Sequence, residues 1–193
     1  MLDLDFAFHA LDSLSGLIPN EQGRMLSDYA AAVPSDQAIV EIGSYRGKST
    51  CYLAYGAGPK GAKVYAIDPW DTAGNVDGTH GFANPETFAR FNANVRTMGY
   101  QDRIIPIKDF STLVACRWHD LPVGLLYIDG DHKEESVRAD YESWFPHLAP
   151  HATVIFDDLD TPRNPGVRIV VDQIPKSVFK FLMIIGRCAV FTR

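Results

Sequence analysis

Apolar residues along this chain fall into two alternating patterns, and the alternation predicts the architecture. Short, largely β-branched runs at 38–42 (AIVEI), 63–68 (KVYAID), 104–107 (IIPI), 125–129 (LLYID) and 152–156 (ATVIF) are too short for buried helices and read as interior strands. Between them the spacing turns helical. Met25, Leu26, Tyr29, Ala30 and Val33 mark one face of a helix capped by Asn20 and ended by Pro34. Ser49 to Tyr55 continues as helix until Gly56, Gly58, Pro59 and Gly61 stop it. Asn84 as cap and Pro85 as first helical residue open a helix lined by Phe88, Phe91, Val95 and Met98, a core stripe closed by Gly99. Val137, Tyr141, Trp144 and Phe145 line another, stopped by Pro146 and Pro150, and Val167, Val170, Val171 and Ile174 a last one. Phe179–Ile185 and Ala189–Thr192 flank Gly186-Arg187 as a closing hairpin. Strands that alternate with helices imply an α/β domain: a mostly parallel, seven-stranded sheet with a C-terminal antiparallel hairpin and helices on both faces.

Two stretches break the pattern. Residues 2–18 begin by alternating (Leu2, Leu4, Phe6, Phe8) and then take a helical spacing at Leu11, Leu14 and Ile18. The expectation is that this extension, with the helix up to residue 33, packs on its own domain; an arm on a partner subunit of a homo-oligomer, or a cover for the site, is the alternative. Residues 71–83 hold three glycines and no periodicity, just past a strand end, and read as a lid loop.

At 193 residues the chain reads as one domain, 1–193, large enough to bury a core unaided. Cys51, Cys116 and Cys188 are far apart and form no CxxC pattern, so they read as buried thiols rather than a disulfide framework or a zinc site. Asp3 and Asp5 stand where a signal peptide needs positive charge, and no apolar run approaches membrane-spanning length, so a cytoplasmic enzyme without membrane contact is expected. A net charge of −6 with no Lys/Arg cluster argues against nucleic acid and for a small-molecule substrate.

The chemistry gathers where strands end. After the first run, Glu41, Gly43, Ser44, Tyr45 and Gly47 make a turn in which missing Cβ atoms let a ligand approach the backbone, before Ser49 enters the next helix. Gly47-Lys48-Ser49 imitates a phosphate-binding P-loop, but only three residues separate Gly43 from Gly47 where that loop needs four. A dinucleotide fingerprint fails because Tyr45 takes the second glycine's place. What remains, acid-x-Gly-x-x-x-Gly, resembles the first motif of class I S-adenosylmethionine (SAM) methyltransferases, in which the acid suits the donor's cationic amino acid end. Asp68 ends the second strand 21 positions after Gly47, near the ~20 expected for a ribose-binding acid. Asp109, Phe110 and Ser111 follow the third strand, where adenine would lie, with a simple Ser111 N-cap as the alternative. Asp129, Asp131, Asp157 and Asp158 all fall at the same sheet edge, and four crowded carboxylates call for a proton or a hard divalent cation, magnesium above all. Helix capping or solvent exposure is the alternative, with Asp131 the natural cap.

The blocks EIGSYRGKST, VYAIDPW, LLYIDGDH and VIFDD, in this order over residues 20–193, resemble the small SAM-dependent O-methyltransferases that act on sugar hydroxyls of natural products, the macrocin O-methyltransferase type. The resemblance implies a Rossmann-like class I methyltransferase fold, SAM as methyl donor, magnesium held by Asp129, Asp157 and Asp158, and Asp131 as the base. It also puts Asp129 at the cofactor. The 28 positions between Asp129 and Asp157 agree with that pattern, whereas Asp109 stands where the family usually has glycine. An aspartate alone is a poor base for an aliphatic hydroxyl, so metal and Asp131 are expected to work as a pair, with His132 and His80 as the next candidates. Cephalosporin hydroxylase-like proteins resemble the same blocks, and a non-catalytic SAM or nucleotide sensor is the other class; the sensor would have no use for the four acids.

Overall fold

The computed structural model describes residues 4–58, 61–70, 85–160 and 165–193. The lid reading at 71–83, with its candidate His80 and the Asn84 cap, lies outside the described residues. Among the described residues seven strands form one sheet in the order β3-β2-β1-β4-β5-β7-β6. They are β1 Ala38–Ile42, β2 Lys63–Ile67, β3 Ile104–Ile107, β4 Val123–Ile128, β5 Leu148–Phe156, β6 Lys180–Ile185 and β7 Cys188–Thr192. The first five run parallel, and β7 pairs antiparallel with both β5 and β6. Strand order reverses beside β1, so the crevice for a ligand opens between the carboxyl ends of β1 and β4. Pro106 lacks an amide hydrogen, and β3 accommodates it as the sheet's edge strand.

Among the described residues seven α-helices cover the two faces: α1 Leu4–Asp12, α2 Asn20–Ala31, α3 Lys48–Ala57, α4 Pro85–Met98, α5 Ser111–Cys116, α6 Glu134–Trp144 and α7 Gly166–Asp172. The two-residue period of a strand sorts the core. Val40, Ile42, Leu126 and Ile128 meet α5, α6 and α7, while Ile39, Leu125 and Tyr127 meet α1 to α4. Glu41 shares the parity of Ile39 and lies opposite Tyr127 in the β1–β4 register. That pairing aims a carboxyl and a phenol at the α2 side of the sheet.

Leu11, Leu14 and Ile18 join the core beneath α2 and α3, so this part of the N-terminal stretch packs on its own domain. Pro19, not Asn20, holds the cap position of α2, and the Asn20 side chain instead accepts from Lys48 Nζ at 2.9 Å. Strand β5 starts at Leu148, four residues before its expected beginning, because Pro150 faces solvent and costs the ladder nothing. Cys51 and Cys188 are buried as expected, whereas Cys116 is exposed at the end of α5. Among the described residues no helix is long and apolar enough to cross a membrane.

Candidate functional site

The glycine turn is held by its neighbours on β2. Gly43 and Gly47 have φ of 87° and 77°, and Tyr45 adopts the same left-handed region at 46° without glycine's freedom. A Cβ on Gly43 would overlap the Asp129 carbonyl, and one on Gly47 would come within 2.7 Å of the Phe91 ring. Asp68 locks this conformation, one oxygen accepting from the Tyr45 amide at 2.9 Å and the other from the Trp70 amide at 2.6 Å. The Trp70 indole donates back to the Tyr45 carbonyl at 2.8 Å, and its fully buried ring packs on Phe88 and Phe91. A carboxylate has about four lone-pair sites, so Asp68 can still accept from ribose hydroxyls. Trp70 was not among the expected site residues; nothing in a lone Trp after Asp-Pro advertises a left-handed backbone.

Glu41 lies fully buried under the turn. Burial pushes its pKa up to about 7, partly offset by the hydroxyl that Thr50 donates to its Oε2. Its Oε1 and the buried Ser44 hydroxyl have no hydrogen-bond partner among the described residues. An orphaned buried carboxylate oxygen is costly unless a donor or cation meets it. Lys48, the residue that mimics a P-loop, turns the other way and donates to Asn20 and, at 3.2 Å, to the Asp12 carbonyl. Among the described residues, therefore, no lysine faces the cradle from the position a phosphate would need.

At the end of β3, Asp109 points outward and pairs with Arg117, and its other oxygen accepts from the Phe110 amide. This ion pair, rather than a ligand, holds its carboxyl below the usual range. The Phe110 ring is 49% exposed. Ser111 is the first residue of α5, not its cap, and its hydroxyl donates to Asp140 on α6.

The acids after β4 and β5 divide into two settings. His132 sits between Asp129 and Asp158, its Nε2 3.5 Å from one carboxylate and its Nδ1 3.3 Å from the other. Burial works against an imidazolium there, yet Asp129 and Asp158 raise its pKa above the ordinary value. Asp129 itself is pushed up to about 7 by burial, with Asp157 and Asp158 adding to the effect. Arg187 pairs with Asp158 at 2.7 Å. Asp157 is turned inward: the Tyr127 hydroxyl donates to it at 2.9 Å, the Asp158 amide at 2.8 Å and the Gln22 amide at 3.4 Å. Asp129, His132 and Asp158 offer ligand atoms within 4.8 Å of one another, a set without Asp157. Asp131 is exposed and accepts from Ser136 within α6 at 2.8 Å, and Lys133 takes the cap position expected of it.

Two of the expected acids stand apart from this grouping. Asp157 is a buried anchor joining α2, β4 and β7, and His132 rather than Asp131 lies between Asp129 and Asp158. Tyr127 was readable in principle, since strand parity places it two residues before Asp129 on the same face. Gln22, 135 positions from Asp157, left no local signal.

The profile of a family described as a methyltransferase domain matches residues 40–159, well over half of the chain. A relative from Sinorhizobium fredii, the uncharacterized protein y4gI, is 32% identical over 124 residues, covering 63% of this chain. The uncharacterized protein R132 of Acanthamoeba polyphaga mimivirus is 28% identical over 145 residues, 72% of this chain. The chain spans only 13% and 59% of the lengths of these two relatives. Among solved structures, an O-methyltransferase from Bacillus cereus in complex with SAH superposes with a TM-score of 0.68 at 17% identity, over 100% of this chain and 93% of that one. CalS11, a calicheamicin methyltransferase, gives 0.68 at 18% identity with the same coverage of 100% and 93%. Both likenesses show the fold.

Proposed function

Because the chain belongs to the methyltransferase-domain family, we propose that it transfers the methyl group of SAM to a hydroxyl of a small molecule, a sugar or natural-product alcohol. One observation carries the reading. The orphaned Oε1 of Glu41 lies under a left-handed glycine turn with no lysine aimed at it, an arrangement that suits an amino acid's ammonium and repels a polyphosphate. Asp68 at the end of β2 suits a ribose, and the net charge of −6 favours a small acceptor over a nucleic acid. CalS11, which shares the fold, is described as a TDP-rhamnose 3'-O-methyltransferase, which makes nucleotide-linked sugars the first acceptors to try.

When bound, SAM supplies a methyl carbon on a sulfonium whose positive charge disappears in the transfer. Glu41 and Asp68 would hold and orient the donor. His132 would take the proton of the acceptor hydroxyl as the methyl group is transferred. His132 suits that role better than Asp131, because two carboxylates flank it and stabilise the imidazolium as it forms. The carboxylates of Asp129 and Asp158 also fit a hard divalent cation by donor type. Held by Asp129 and Asp158, a divalent cation would balance their charge and leave His132 in the neutral form that accepts a proton. Asp157 contributes by position alone, fixing the turn that presents Asp158.

Calorimetry with SAH, ATP and NAD tests the donor site, and labelled SAM with a panel that includes TDP-rhamnose tests the transfer. Binding of SAH alone supports the reading; tight ATP binding that is lost in Lys48→Ala would overturn it.

A further inference from the structure

The closing hairpin brings a cation of its own to the acid edge. Arg187 stands at its tip, after Gly186 in the left-handed region at φ 57°, and its guanidinium pairs with Asp158 at 2.7 Å. The other Asp158 oxygen faces His132 Nδ1 at 3.3 Å, and His132 leads on to Asp129. The Asp158 side chain is 14% exposed and that of Arg187 45%, so the pair has an inner and an outer member. The tip itself does not depend on this pair. The Arg187 carbonyl accepts from the Leu159 amide at 2.9 Å, β7 pairs with β5 from Ala189 to Thr192, and a Cβ on Gly186 would lie 2.9 Å from the Gln22 amide nitrogen. With its backbone held in these ways, Arg187 can turn its guanidinium to solvent without moving the hairpin.

We propose that Arg187 is a resident counter-cation that occupies Asp158 until a divalent cation displaces it, so that the hairpin tip sets the affinity of the acid edge for metal. The inference rests on the cation reading above and names the residue that regulates it. A guanidinium and a hard divalent ion seek the same carboxylate oxygens, and two positive charges that close together repel each other strongly. Asp158 therefore serves one or the other. Arg187 suits a removable occupant, because its outer half keeps its water and an ion pair with an exposed member is worth little. Without Arg187, Asp129 and Asp158 would face each other across His132 with less positive charge between them, which favours the uptake of a cation. A merely structural Arg187 predicts the opposite, since loosening the tip would loosen Asp158 and with it the metal.

The test is calorimetry with magnesium and with manganese alone, titrated into the chain without SAM. Arg187→Gln is expected to bind either ion about fivefold or more tightly than the wild type, the scale of an ion pair with an exposed member. Arg168→Gln removes a charge paired with Asp160 away from the edge, and should leave the affinity unchanged. Nitrogen-15 NMR of the arginine side chains follows the exchange directly. Magnesium should move one guanidinium signal of the wild type, the one missing from Arg187→Gln, toward the position of a solvated arginine. Arg187→Lys keeps the charge and identifies the same signal if the Gln variant fails to fold. Equal or weaker binding by Arg187→Gln would overturn the proposal, and so would an Arg187 signal that ignores magnesium. A gain shared by Arg168→Gln would overturn it too, because net charge rather than displacement would then explain both. If no chain binds either ion, the cation reading falls together with this proposal; equal affinity in wild type and Arg187→Gln refutes this proposal alone.

Discussion

The glycine turn after β1 and the acid pair after β5 stand at opposite sides of the same crevice, and they hold strained backbone by different means. On the turn, Tyr45 and Trp70 occupy the left-handed region, and local groups lock them: Asp68 accepts both amides and the indole closes the ring. On the acid side Asp158 is left-handed at φ 57°, its amide bonded to Asp157 and its carboxylate paired with Arg187 on the closing hairpin, while Asp157 in turn is held from afar by Tyr127 on β4 and Gln22 on α2. Each such residue costs about 1–3 kcal/mol and persists only where its surroundings over-determine it. A binding cradle here is a local device, whereas the reactive edge depends on the assembled domain.

The sharpest test separates chemistry from binding. His132→Ala is expected to lower methyl transfer by ~10²–10⁴, the range for a lost general base, and to leave SAH affinity near wild type. The same assay on Asp131→Asn should show little change; a large loss there with an active His132 variant would return the base to Asp131. On the cradle side the split reverses. Gly43→Ala must carry a side chain at φ 87° against the Asp129 carbonyl, and should weaken SAH binding by about tenfold or more in calorimetry.

Stability distinguishes the two regions further. Tyr127→Phe removes the donor to the buried Asp157, and a 3.2 Å contact to Asp129, and is expected to destabilise the fold by about 1–3 kcal/mol in urea titration. A divalent cation should raise the melting temperature of the wild type in proportion to its affinity, and Asp158→Ala should abolish the rise. No rise with magnesium or manganese would remove the cation from the proposal.

The smallest effect concerns pH. Glu41 has a folded pKa of about 7 against an ordinary value of 4.5. The folded chain therefore holds a proton between these values that the unfolded chain releases, so stability falls as pH rises from about 4.5 through 7. Ligand-free protein should melt higher at pH 5.5 than at pH 8. Bound SAH, whose ammonium favours ionised Glu41, should flatten the dependence. An equally steep profile with and without SAH would mean that Glu41 does not meet the ligand.

Strand and helix periodicity, set by neighbouring residues, made the sheet legible. The five parallel strands and the hairpin fall where the apolar runs place them; β4 starts two residues early at Val123, and the largest shift is at β5, whose Pro150 was read as a stop although it faces solvent. The glycine turn was legible for the same reason. Glu41, Gly43 and Gly47 stand within seven residues, and a backbone that must go left-handed announces itself by glycine. Tyr45 and Trp70 did not, because their strain is maintained by Asp68 across the sheet edge.

Sequence by itself determined which residues reach the carboxyl edge, since a strand's end and its two-residue period are local properties of the chain. Only the tertiary structure decided what each acid does there. Asp129, Asp131, Asp157 and Asp158 are equivalent as letters, yet one flanks a histidine, one joins a helix turn, one is buried beneath a tyrosine and one is paired with an arginine. Their roles follow from desolvation and from partners up to 135 positions away, which no local pattern encodes.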